Sequence, residues 1–253
     1  MKLRQVLNWI GLAIVLAVNG LANALPLNGK TTGEISDNIP TLFTPAGYVF
    51  SIWSVIYLGL LAFALYQGRR SQATAEFQER IGYWFFVSCI FNSAWIVAWH
   101  YEQFPLSLAI MLGLLVSLLA IYLRLDIGRR SVSAGENRAV HLPFSIYLGW
   151  ISVATIANVS TVLYQWGWTG GALGPEVWTA IMVVIAGVLG IAMIVLRHEI
   201  GYPLVIVWAL VGIWVARRAT PLVANASAAT AVIVALVLIV AQVQARARPA
   251  LTA

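Results

Sequence analysis

The sequence predicts an all-α protein: a polytopic transmembrane helical bundle of about eight helices, a five-helix core followed by three more. Three observations lead there. Of 253 residues, 61% are hydrophobic and only 9% charged, whereas a soluble domain carries about 25% charged residues. These charges cannot cover a water-facing surface. Eight segments come close to the roughly 20 apolar residues that a bilayer-spanning helix needs: 6–25, 48–67, 81–99, 105–124, 142–164, 177–196, 202–216 and 224–243. Finally, runs such as Ala109–Leu123 and Ala231–Val240 lack the alternation of barrel strands. Lipid admits only helices or closed barrels, so helices remain.

Each element has its own justification. Lys2 and Arg4 precede an apolar stretch from Val6 to Leu25 that is long for a signal core, and Asn19 and Asn23 dilute a cleavage-site pattern; the segment reads as a retained first helix. Residues 26–47 form a polar loop rich in Thr, Asn, Gly and Pro, and residues 125–141 a basic loop. The seventh span is short and begins near Tyr202-Pro203, a turn or helix start. The expected organisation is a five-helix core over 1–165, a three-helix segment over 166–245 and a flexible basic tail over 246–253.

The basic residues set an orientation. With the N-terminus inside and eight spans, 12 Lys and Arg fall on the inner side, and only Lys30, Arg217 and Arg218 on the outer side. This predicts cytoplasmic N- and C-termini and fits a prokaryotic plasma membrane, with lipid as the principal partner. The net charge of +6 lies in short clusters flanking apolar runs, which argues against nucleic acid. The single cysteine, Cys89, sits in an apolar segment. It permits no disulfide within the chain and reads as a small buried hydrophobe.

Charge is missing where an ion path would need it. The acidic residues Glu34, Asp37, Glu76, Glu79, Glu102, Asp126, Glu136, Glu176 and Glu199 all fall in loops or at helix ends. So do His100, His141 and His198, which read as solvated interfacial residues, haem ligation by a helix-end histidine being the alternative. Proton-coupled transport through a buried carboxylate and hydrolytic chemistry are therefore disfavoured; no catalytic residue and no metal ligand is assigned. The mid-helix polar residues are Asn92, Ser152, Thr155, Asn158 and Ser160, suited either to interhelical hydrogen bonds or to a ligand pocket. Of eleven tryptophans, Trp9, Trp99, Trp166, Trp168 and Trp178 lie near helix ends as an interfacial belt, while Trp53, Trp95 and Trp150 lie deeper or beside polar positions. Residues 150, 154 and 158 share one helix face, as do 92 and 95.

Three stretches carry a resemblance. They are Pro45-Ala-Gly-Tyr48-Val-Phe50-Ser-Ile-Trp53-Ser-Val-Ile-Tyr57-Leu-Gly59, Asn92-Ser-Ala-Trp95, and Trp150-Ile-Ser-Val-Ala154-Thr155-Ile-Ala-Asn158 with Pro143 upstream. Together, over about residues 6–165, they resemble the tryptophan-rich sensory protein family, relatives of the mitochondrial translocator or peripheral benzodiazepine receptor. The resemblance implies a five-helix pocket for porphyrins and other planar hydrophobic ligands, lined here by Trp53, Tyr57, Asn92, Trp95, Trp150, Ala154 and Asn158. It implies a binding protein or sensor rather than an enzyme, with no obligatory cofactor and porphyrin or haem as a candidate ligand. The spans over 177–243 add about three helices to that pattern. The remaining readings are a transporter of small amphipathic molecules, a porphyrin-degrading enzyme, and a structural subunit of a larger membrane complex, for which Ala186 and Gly190 are spaced for close helix packing; a homodimer is a further candidate partner.

Overall fold

Eight apolar helices occupy the eight expected spans in the computed structural model, which describes residues 2–247. In chain order the elements are α1 (Leu3–Ala24), short α2 (Thr32–Asp37), α3 (Ile52–Gln67), short α4 (Glu76–Ile81), α5 (Trp84–His100), α6 (Phe104–Leu125), single-turn α7 (Ala134–Glu136), α8 (Leu142–Gln165), α9 (Gly174–Arg197), α10 (Gly201–Ala216) and α11 (Pro221–Ala247). No strand occurs among the described residues. Six of the apolar segments are long enough to cross a membrane; α5 and α10, with 17 and 16 residues, are shorter. At about 1.5 Å per residue these two cover about 25 Å of a core about 30 Å thick. Large side chains such as Leu58, Val116, Val188, Val195 and Ile239 are more than half exposed, as a lipid-facing surface requires. This is an integral membrane helical bundle.

The central helix is α8, which packs on α3, α6 and α10 and buries Phe144, Tyr147, Trp150, Ile151 and Asn158. α1 rests on α3 and α5, and α5 on α6; α9, α10 and α11 pack on one another. One buried cluster runs continuously from Leu12 in α1 to Ala231 in α11. Where α8 meets α10 the backbones come close: a Cβ on Gly149 would stand 3.1 Å from the Tyr202 carbonyl oxygen, and Ser145 Oγ accepts from the Tyr202 amide at 2.9 Å.

The basic residues gather at one end of the bundle. There Arg197 pairs with Asp126 at 2.7 Å and Arg129 donates to the Leu196 carbonyl at 3.1 Å. Glu76 is held by Arg130 and by Arg80, the latter at 2.8 Å, and their hydrogen bonds pull its carboxyl down to about 2. Buried amides tie α1 to α3 close by: Gln5 donates to the Gln67 carbonyl at 2.8 Å, and Asn8 to Gln67 Oε1 at 2.9 Å.

The structure corrects several expectations. Residues 134–141, expected in a loop, are helical and lead through a wide turn at Asn137–His141 directly into α8. The 26–47 loop is not simply polar and solvated. A capping box, with Thr31 accepting from the Glu34 amide and Glu34 accepting from the Thr31 amide at 2.7 Å, starts α2, and Ile35 and Phe43 are each only 1% exposed. His100 and His141 are buried rather than solvated; His100 Nδ1 lies 2.7 Å from the Ile96 carbonyl, and His141 lies 3.8 Å from Glu136. Ala186 and Gly190 face inward: Ala186 is buried, and Gly190 meets Val234 of α11 and Ile206 of α10. The flexible tail expected over 246–253 lies, from residue 248 onward, outside the described residues; α11 runs to Ala247.

At the opposite end, Arg217 explains its own exception to the charge bias. It donates to three carbonyls of the long loop, Thr41 (2.8 Å), Leu42 (3.1 Å) and Thr44 (3.2 Å). α10 continues this clamp: the Gly212 carbonyl accepts from the Ala46 amide at 3.1 Å, and Trp208 Nε1 donates to the Val49 carbonyl at 3.1 Å. A Cβ on Gly212 would stand 2.1 Å from Val49 Cγ2, so glycine is what permits the contact. Gly212→Ala is expected to lower stability by about 1–3 kcal/mol through overpacking, with partial recovery in Gly212→Ala/Val49→Ala. Reversible unfolding in detergent measures this; equal stability of Gly212→Ala and the wild type would contradict the tight docking of α10 on residue 49.

Candidate functional site

Aromatic rings four residues apart on two helices, α3 and α5, join Trp150 of α8 to build the inner wall of the bundle. A tight 3-10 turn at Gly47–Ser51 leads into α3 and sets Trp53 and Tyr57 one turn apart, with ring centroids 5.5 Å apart and planes 23° apart. On α5, Trp95 and Trp99 stack in the same way at 5.4 Å and 22°. Trp150 of α8 meets Trp53 edge-on at 6.2 Å and Phe50 edge-on at 5.8 Å. Each such pair contributes about 0.5–1.5 kcal/mol beyond its buried area. Helical spacing makes the stacks, and the α3–α8 packing and the Trp95–Asn158 hydrogen bond from α5 to α8 bring them together.

Trp53, Trp95, Trp99, Trp150, Ala154 and Asn158 border one small space of about 40 Å³, closed by Phe50 and by Thr32 of α2. Trp53, Phe50 and Thr32 are also walls of a second, roomier cavity of about 330 Å³, bounded by Tyr57 and by Asn19 and Asn23 of α1. The two spaces therefore adjoin across Trp53, which is only partly buried.

The polar groups divide into spent and unspent. Asn158 Oδ1 accepts from Trp95 Nε1 at 3.2 Å, and its amide donates to Ser107 Oγ at 3.0 Å. Asn158 Oδ1 also lies 3.3 Å from Ser107 Oγ, so Asn158 fixes the Trp95 ring and keeps only one N–H in reserve. Trp99 Nε1 donates to the Thr32 carbonyl at 3.3 Å. Trp150 Nε1, by contrast, is buried without an acceptor among the described residues. An unpaired buried donor costs about 1–3 kcal/mol.

Of the seven residues taken from the sequence, the structure gathers Trp53, Trp95, Trp150, Ala154 and Asn158 around the smaller space and places Tyr57 on the adjoining cavity. Asn92 is the correction. It is fully buried, borders neither space, and spends its carboxamide on neighbours: Oδ1 accepts from Asn19 at 2.8 Å and Nδ2 donates to Tyr147 OH at 2.8 Å. Its work is to join α1, α5 and α8 behind the aromatic wall. Trp99, assigned above to the interfacial belt, is 5% exposed and belongs to the wall. Its spacing of four from Trp95 is the signal that could have placed it. Nothing in the polar loop marks Thr32, because its position depends on how α2 folds back over the bundle.

The family model described as TSPO-like protein matches residues 5–241. No curated protein and no solved structure matches the chain. The match continues beyond residue 165 and through α9 and α10 into α11.

Because both ends of the Asn92 amide are used, its removal is expected to act on stability. Asn92→Leu strands Asn19 and Tyr147 and should cost about 1–2 kcal/mol. A cycle with Asn19→Leu should return a coupling of about 0.6 kcal/mol or more. Strictly additive losses would show that the two amides do not interact.

Proposed function

This chain belongs to the TSPO-like protein family, and on that basis we propose that it is a membrane receptor or sensor for a planar hydrophobic molecule of tetrapyrrole type, acting by binding rather than by catalysis. The coarser statement, an integral membrane protein from a family of ligand-binding or transport proteins, stands on the eight apolar helices and the family match. The finer reading rests chiefly on one observation: Trp150 Nε1 is an orphan donor on a residue that walls a space otherwise made of stacked indoles.

The chemistry suits such a ligand. Flat rings from Trp53, Trp95 and Trp150 offer stacking surfaces, Ala154 leaves room, and Trp150 Nε1 together with the spare N–H of Asn158 can meet a ring nitrogen or a carboxylate. The 40 Å³ space admits nothing so large as it stands. Ligand pockets run to about 300–1,000 Å³, a range that the adjoining 330 Å³ cavity just reaches. In this reading Trp53, the shared wall, turns aside to merge the two, and the ligand enters between α1 and α3. The clamp from α10 onto residues 41–49 holds the turn that carries Trp53. The three C-terminal helices then serve as a brace for the pocket of the core rather than as a separate unit. The charge bias adds cytoplasmic termini and a prokaryotic plasma membrane to the proposal.

Porphyrin titration of the purified protein, followed by tryptophan fluorescence quenching, tests the pocket. Trp150→Phe keeps an aromatic face but removes the N–H and is expected to weaken binding about threefold to tenfold. Ala154→Leu fills the space and is expected to weaken it by tenfold or more. Undiminished affinity in the Trp150→Phe/Ala154→Leu double variant would remove the pocket from consideration.

A further inference from the structure

A larger cavity, about 490 Å³, lies at the end of the bundle away from the basic cluster and shares no lining residue with the tryptophan spaces. The long loop, the last turn of α8 and the first turn of α9 enclose it. We propose that this cavity is a second binding site, selective for an organic cation: an ammonium group carried on a compact apolar body.

Three features point to a cation. Trp168 and Trp178 meet at a right angle, with centroids 4.7 Å apart and planes at 88°, forming two walls of a corner, with Tyr164 on the same cavity. Aromatic walls attract an ammonium through the ring quadrupole, by about 0.5–2 kcal/mol for each good face. Glu176 lines the cavity and has no hydrogen bond or ion pair to the described side chains. The cations of this end of the protein are committed elsewhere: Lys30 to Glu102, Arg217 to the loop carbonyls, and Arg218 to the Trp214 ring at 4.7 Å. None of the three lines the cavity. An aromatic-walled cavity edged by an unpaired carboxylate suits a cationic guest. Finally, Leu42 and Leu163 supply apolar surface for the body of the ligand.

The hydroxyls of Thr41, Ser160, Thr169 and Thr179 also line the cavity, but one carboxylate gives a metal ion a single charged ligand, whereas the aromatic corner fits a methylated or alkylated ammonium. That chemistry has two sources, a small soluble amine and the ammonium headgroup of a neighbouring lipid, and the test separates them.

Phenyltrimethylammonium is titrated into the full-length protein in dodecyl maltoside, which carries no ammonium, with binding read by calorimetry and tryptophan fluorescence. Binding is expected, with a Kd weakened about tenfold in Glu176→Gln and further in Glu176→Lys. The uncharged isostere tert-butylbenzene is expected to bind more weakly by a similar factor. Titrating in a short-chain phosphatidylcholine then identifies the source: displacement of the probe assigns the site to a lipid headgroup, and retention assigns it to a soluble cation, either result supporting the ammonium site. Equal affinity in wild type, Glu176→Gln and Glu176→Lys, or equal affinity for the uncharged isostere, overturns it. Glu176 is exposed, so an unchanged unfolding midpoint in both variants is expected and confirms that they fold. The Trp150→Phe/Ala154→Leu variant is expected to bind the ammonium probe normally, which keeps this result independent of the porphyrin reading.

Discussion

Lipid does not solvate polar groups, and this structure is organised around that fact. Every amide or hydroxyl placed inside the bundle must find a protein partner or remain a liability. Asn19, Asn92 and Tyr147 satisfy one another across α1, α5 and α8. Asn158, Ser107 and Trp95 do the same across α5, α6 and α8. Gln5 and Asn8 close onto Gln67 at the end of α3. Hydrophobic burial cannot order helices against one another inside an apolar solvent, so these pairs and the close contacts of small residues set the register. Several buried groups stay unpartnered among the described residues, Trp150 Nε1, Tyr122 OH and Ser227 Oγ among them; of these, Trp150 borders the space between the stacked indoles.

The same constraint governs the long loop between α1 and α3. Its carbonyls at residues 41, 42 and 44 would be expensive at the edge of a membrane without donors. Arg217 supplies them, and in doing so fastens α10 to the segment that leads into α3. Gly212 and Trp208 extend the contact to residues 46 and 49. The C-terminal helices are therefore mechanically part of the aromatic wall, which agrees with a family match that reaches residue 241.

Much of the candidate site's geometry was legible before any coordinates, and the gaps have identifiable causes. Residues 150, 154 and 158 lie on one face by helical arithmetic alone, and the structure places all three on one space. Asn92 and Trp95 also share a face by spacing, yet they part company. Three residues on a helix differ by about 60° in direction, enough for Trp95 to border the hollow while Asn92 reaches Asn19 and Tyr147. Trp99 looked interfacial because it is one residue from the helix end. The folding of α2 over that end covers it, and a sequence pattern carries no information about what a distant loop will cover.

The amino-acid order alone determined the class of solvent, the number and rough limits of the helices, and which end of the bundle collects the arginines. Those properties follow from local composition, since apolar length and flanking charge act within a single segment. Tertiary structure alone decided which polar groups are spent and which are left over, that the long loop is clamped by α10, and that the cavity beside Trp168 and Trp178 is separate from the spaces beside Trp53. Those outcomes depend on pairings such as Arg217 with Leu42, 175 residues apart, for which a linear pattern has no term.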